Sequence, residues 1–195
     1  MTNSFDPISR REKIAYRIAV IGHPLVTIAL FILIYGTLFY DLKTTLSAFG
    51  LIMLIVIIPI TVNNYWQAKK GRITNFDVSD RKQRAALYPY LLLLMAIMSG
   101  VMYYFEYPET ITHGVFFFFL MLLLISVVNL KLKASLHAAS SFFICMMIVK
   151  VNPLAGLMVL LFSFVVAWSR LVLKRHTLPE IIVGAACGIL FGLLG

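Results

Sequence analysis

Seven long apolar runs divide this chain: Arg17–Tyr40, Leu46–Trp66, Leu87–Phe105, Thr112–Leu130, Ser135–Val149, Pro153–Trp168 and Pro179–Gly195. Several approach the roughly 20 residues that a helix needs to cross the hydrocarbon of a bilayer. The fifth and sixth are short and read as a tightly turned pair. None alternates polar and apolar residues, as the strands of a membrane barrel do, so the runs are predicted helices. With 61% hydrophobic residues, the composition excludes an ordinary soluble domain. The expectation is an all-α, polytopic transmembrane bundle of about seven spans, or six. It forms a single integral membrane domain over 1–195, with a polar N-terminal segment at 1–16 and a basic loop at 67–86. No internal repeat and no separate soluble domain is visible.

The first run is too long for a signal peptide and no small-residue cleavage pattern follows it, so it is expected to stay as an anchor. Cys145 and Cys187 both lie in apolar runs without ligand-like spacing, which points to reduced core residues. The net charge of +9 does not indicate nucleic acid, because the basic residues sit in short connections between apolar runs. Fifteen fall on the side of the N-terminus: Arg10, Arg11, Lys13, Arg17, Lys69, Lys70, Arg72, Arg81, Lys82, Arg84, Lys131, Lys133, Arg170, Lys174 and Arg175. Lys43 and Lys150 fall on the other. By the positive-inside rule the N-terminus and these loops are expected in the cytoplasm, the protein lying in a plasma (inner) membrane.

Three groups of polar residues share that side. Ser169-Arg170, then His176 after five residues and Glu180 after three more, sit between two apolar runs, where ionisable groups are expensive and usually functional. The residues offer an anion-binding guanidinium and an imidazole beside a carboxylate able to fix its tautomer. Thr177, Pro179 and Glu180 also have the pattern of a capped helix start, which accounts for Glu180 but not for Arg170 or His176. The second group is Lys133-Ala134-Ser135-Leu136-His137, a hydroxyl two residues before a proton donor. Read structurally, Ser135 caps a helix and His137 anchors it. The third is Asp80-Arg81-Lys82-Gln83-Arg84 followed by Tyr88-Pro89. On a helix Arg81, Arg84 and Tyr88 share a face, and guanidinium forks suit phosphate; read structurally, this is a basic segment flanking a membrane.

Together the groups resemble the type 2 phosphatidic acid phosphatase family of membrane lipid phosphatases. That family carries Lys, six residues, Arg-Pro; then Pro-Ser-Gly-His; then Ser-Arg, five residues, His, three residues, Asp. Here the corresponding residues are Arg81 with Tyr88-Pro89, Ala134 to His137, and Ser169-Arg170 with His176 and Glu180, while Gly184 stands where these proteins often have glycine. The third match is specific, the second partial and the first weak. Tyr88, Ala134, Leu136 and Glu180 depart from the pattern, and Arg84, one turn before Tyr88, is placed to send its fork to the same point. The resemblance implies attack by His176 on a phosphate monoester or pyrophosphate, with no metal and no other cofactor. It gives Glu180 the role of holding His176, and His137 that of protonating the leaving alcohol. Arg81, Arg170 and Ser135 would bind the phosphate with help from Lys82 or Arg84. The partner implied is a lipid phosphate in the membrane; the oligomeric state is left open.

Two other functions compete. A non-catalytic relative that binds lipid or a partner protein accounts for the altered first motif. An intramembrane prenyltransferase would hold magnesium and diphosphate on acidic pairs; Asp77 and Asp80 near Asn63-Asn64 suggest one, but a second acidic motif is missing. His23 and His113 read as interfacial or core histidines, and Phe116–Phe119 as lipid-facing or packed residues.

Overall fold

The computed structural model describes residues 9–73, 78 and 80–195, and these are all-helical. The helices are α1 (Arg10–Ile21), α2 (Pro24–Phe39), α3 (Leu42–Ile52), α4 (Ile58–Lys69), α5 (Arg81–Tyr104), α6 (Glu109–Val128), α7 (Leu136–Val149), α8 (Pro153–Val172) and α9 (Leu178–Leu194). A π-helical segment, Met53–Ile57, joins α3 to α4 without a break, so 42–69 is one long helix. The starts follow from local chemistry. Asp41, Asp80 and Asn152 each accept a backbone N–H three residues on, and Pro24, Pro153 and Pro179 lie in first turns, where a missing N–H costs nothing.

Each of the seven apolar runs becomes helical, yet seven spans are not established. By length and composition four helices can cross a membrane, namely 42–69, α5, α6 and α8, or five if α1 and α2 form one bent span. The helices α7 and α9 have 14 and 17 residues, and at 1.5 Å per residue they reach about 21 and 25 Å against a hydrocarbon layer of about 30 Å. The first expected span is interrupted. Pro24 has no N–H to continue the helix, so the chain turns at Gly22-His23 and the α2 axis departs from that of α1 by 51°. The sixth run is not short either: α8 continues to Val172, which puts Ser169 and Arg170 on its last turn. Cys145 and Cys187 are buried and free.

The centre of the bundle is α7, ten of whose 14 residues are buried. Its closest neighbour is α9, along Gly184, Gly188 and Gly192. A methyl group added at Gly184 or Gly188 would collide with the carbonyl oxygen of Ser135 or Ala139, and one at Gly192 would stand 2.6 Å from the Phe143 oxygen. Small residues at four-residue spacing let two backbones approach in lipid, where hydrophobic exclusion gives helices no reason to associate. The register is fixed at the head of the seam, where the Ser135 N–H donates to the Glu180 carbonyl at 3.0 Å.

Gly188→Ala should therefore lower thermal stability in detergent by an amount equivalent to about 1–3 kcal/mol, because backbone rather than a flexible side chain must yield. Gly100→Ala is the control: its added methyl meets nothing within 4 Å, and in mid-helix the change should be neutral or stabilising by about 0.5–1 kcal/mol. Equal melting temperatures for the two variants would contradict the glycine seam.

Candidate active site

The N-termini of α5, α7 and α9 and the C-terminus of α8 meet at one end of the bundle. The turn that closes α8 is the key local element. Lys174 adopts a left-handed backbone (φ 51°), its N–H donates to the Leu171 carbonyl at 2.9 Å, and the Arg175 N–H donates to the Arg170 carbonyl at 3.0 Å. This is the helix ending usually built with glycine, here imposed on a lysine. It reverses the chain so that the His176 N–H also points at the Arg170 carbonyl, at 3.4 Å. The five residues between Arg170 and His176 are the length of that turn.

His176 Nδ1 lies 2.9 Å from Glu180 Oε2. The same oxygen accepts the Thr177 N–H at 3.1 Å, so Glu180 caps α9 and holds the imidazole at once. A carboxylate only accepts, so Nδ1 bears the proton and Nε2 of the neutral ring keeps its lone pair. Burial, followed by the charges of Arg84, Lys133 and Arg170, pushes the His176 pKa well below its ordinary 6.5. A hydrogen bond to the Lys133 backbone and the neighbouring Glu180 carboxylate oppose this by favouring an imidazolium, and burial with the site's positive charge prevails.

Around the pair stand three cations from three elements. Arg84 on α5 is 4% exposed and donates to the carbonyls of Val78 and Ala134, at 3.2 and 2.9 Å. Arg170 on α8 is 1% exposed. Lys133, just before α7, donates to the Arg175 carbonyl at 2.8 Å; burial lowers its pKa, while Glu180 raises it. Ser135 and His137 complete the cluster, both buried, and Arg170, His23, His176 and Arg84 all act electrostatically on His137. Ser135 Oγ accepts the Ala138 N–H at 3.4 Å, as a cap does, and its O–H is still able to donate. Ser169 instead turns its hydroxyl back to the Val166 carbonyl, at 2.6 Å.

His176, Glu180, His137, Ser135, Arg170 and Arg84 are thus brought together. Arg81 and Lys82 are not. Both are exposed, and Arg81 donates to the Lys131 carbonyl at 3.0 Å while its own carbonyl accepts from Asn129. Arg84 is the guanidinium of that segment that faces His176, with the phenol of Tyr88 buried beside it. Two residues of the cluster lie outside the expected set. Lys133 was signalled by its place in the second group. His23, read as a core or interfacial histidine, packs its ring against that of His137, and only folding brings those two positions together.

A groove of about 700 Å³ leads away from the cluster. Arg170, Arg175 and His23 line one end, and Leu30, Leu33 and Phe49 line the rest with Met53 of the π-helical segment. For the prenyltransferase reading, Asp77 lies outside the described residues, and Asp80 uses a carboxylate oxygen to cap α5. Among the described residues, no group of three or more His, Cys, Asp or Glu side chains is placed to hold a metal ion. Compared with known proteins, the chain matches no family model, no curated protein and no solved structure.

Glu180→Gln keeps a side chain able to complete the helix cap and removes the charge that holds the His176 N–H. Turnover in the assay described below should fall at least a hundredfold, while stability changes by less than the roughly 0.5–2 kcal/mol of a lost cap. Losses of turnover and stability in proportion would reduce Glu180 to a cap.

Proposed function

We propose that this chain is a membrane-embedded phosphohydrolase that releases phosphate from a lipid phosphate or pyrophosphate, a divergent relative of the type 2 phosphatidic acid phosphatases. The observation that carries the reading is the pair of buried His176 and half-buried Glu180, on which the charges of Arg84, Lys133 and Arg170 converge. Among the described residues three cations face the one carboxylate at their centre, a setting that suits a phosphate dianion.

In this mechanism His176 Nε2 attacks phosphorus in line. The N–P bond forms as the P–O bond to the lipid alcohol breaks, and the departing oxygen takes a proton from His137. Water then attacks the phosphohistidine, gives its proton back to His137, and releases inorganic phosphate and free His176. Arg84, Arg170 and Lys133, with the Ser135 hydroxyl, stabilise the charge that spreads over the equatorial oxygens. Glu180 supports the positive charge that develops on the ring. The groove beside Arg170 and Arg175 accommodates a hydrocarbon tail while the head group reaches His176.

The assay is phosphate release from a panel of lipid phosphates by the purified protein. Wild type should turn over, vanadate should inhibit, and a chelator should leave the rate unchanged. His176→Ala should be inactive; His137→Ala should keep a residue about 10²–10⁴-fold slower. Because His176 is neutral well below pH 6.5, the acid limb of kcat/KM, corrected for the substrate's own phosphate ionisation, should fall far below that pH. Release by His176→Ala at the wild-type rate would remove the mechanism. An intact protein inert to the whole panel would favour a lipid- or partner-binding role.

We further infer that all seven apolar segments cross the membrane, with α7 and α9 shielded by their neighbours, and that the catalytic end faces the cytoplasm in a plasma (inner) membrane. The basic residues near α1 and at Lys69, Lys70 and Arg72, which take no part in the chemistry, support this orientation. Single cysteines at Arg72 and Glu109, in a background lacking Cys145 and Cys187, should differ toward an impermeant thiol reagent on intact cells. Glu109→Cys should label and Arg72→Cys should not; the reverse pattern would put the substrate in the outer leaflet.

A further inference from the structure

Two histidines 114 positions apart in the chain meet in the site, with ring centroids 5.2 Å apart and planes at 87°. His23 stands in the break between α1 and α2, where its Nδ1 accepts the Leu25 N–H at 3.3 Å and begins α2. An accepting Nδ1 carries no proton, so the neutral His23 ring bears its proton on Nε2. The break is held in place from α8: a Cβ on Gly22 would stand 2.5 Å from a Val166 methyl, one turn before Arg170. The His23 ring also lines the groove, in company with Arg170 and Arg175. It therefore occupies the junction between the apolar groove and the phosphate-binding cations.

His137 differs from His176 in how it is held. His176 has a carboxylate on Nδ1. The described residues whose charges act most strongly on His137 are Arg170 from α8, His23 from the break, His176 from the turn before α9 and Arg84 from α5. Its buried Nε2 has no hydrogen-bond partner among the described residues. The His23 ring packs against that of His137 at right angles and at the spacing that aromatic pairs favour.

We propose that His23 is a positioning residue for the acid step: its ring holds His137 so that Nε2 meets the oxygen that leaves with the lipid tail. This rests on the phosphohydrolase reading. When the P–O bond breaks, its electron pair goes to the leaving oxygen, and an alkoxide needs the His137 proton at that moment. A nitrophenolate is stable as the anion and does not. Misplacing His137 therefore slows P–O cleavage, the step that kcat/KM reports, for one leaving group and spares it for the other; the later hydrolysis of the phosphohistidine is common to both.

The test compares two substrates with the same hydrocarbon tail, a dodecyl phosphate and a nitrophenyl phosphate bearing a dodecyl chain, so that groove contacts are matched. His23→Asn is the variant, because asparagine also caps helices and lets α2 begin. Its kcat/KM for dodecyl phosphate should fall about 10–100-fold, the usual effect of losing a group that orients a functional histidine. Its kcat/KM for the nitrophenyl substrate should stay near wild type. His23→Phe, which restores a ring without its nitrogens, should recover part of the loss. If His23→Asn does not fold, the same ratio is read on His23→Gln. Equal losses on both substrates, or none on either, would overturn the proposal. A wild type inert to both would instead remove the phosphohydrolase reading beneath it.

Discussion

The close approach of α7 and α9 is the constraint on which the rest of the site depends. Without side chains at Gly184, Gly188 and Gly192, the two backbones touch, and the Ser135 N–H reaches the Glu180 carbonyl. That bond ties the first residues of two helices together. Each of those helix starts carries a histidine group, Ser135 and His137 on one, His176 and Glu180 on the other. The site is therefore no more precise than the seam, and a seam of backbone contacts has little freedom to breathe.

Electrostatics then decides what such a place can hold. Arg84 and Arg170 are removed from water on separate helices, and a bilayer-embedded protein does not bury guanidinium groups cheaply. Carbonyls of Val78 and Ala134 hold Arg84 without neutralising it. Among the described residues, the charge of Arg84 thus remains available to an incoming anion. Burial first, and then the same field, keeps His176 neutral although a carboxylate touches it: the cations act from several sides, the carboxylate from one.

The helical class, the apolar runs and the spacing from Ser169 to Glu180 were legible in the sequence, because each depends on residues close together in the chain. What was not legible depends on depth or on distant contacts. Arg81 and Arg84 share a helical face by spacing, yet Arg84 lies one turn deeper and is buried, while Arg81 at the helix mouth bonds the loop before α7. His23 acquires its place only when the N-terminal break packs against α8 and α7. The break itself had a local signal in Gly22-His23-Pro24, and the four-residue glycine spacing in α9 was likewise present. Apolar continuity, averaged over a whole run, conceals both.

The π-helical turn at Met53–Ile57 has a geometrical consequence for the long helix that contains it. Its buried residues are Thr45, Ala48, Ile52, Val56, Ile60 and Asn64, mostly four apart. In a regular α-helix each step of four overshoots a full turn by about 40°, so such a stripe would wind around the helix and its far end would face away from the bundle. A locally wider winding takes back part of that overshoot. One irregular turn lets a 28-residue helix keep a straight inner edge. Its outer surface, meeting fluid chains rather than other helices, needs no such correction.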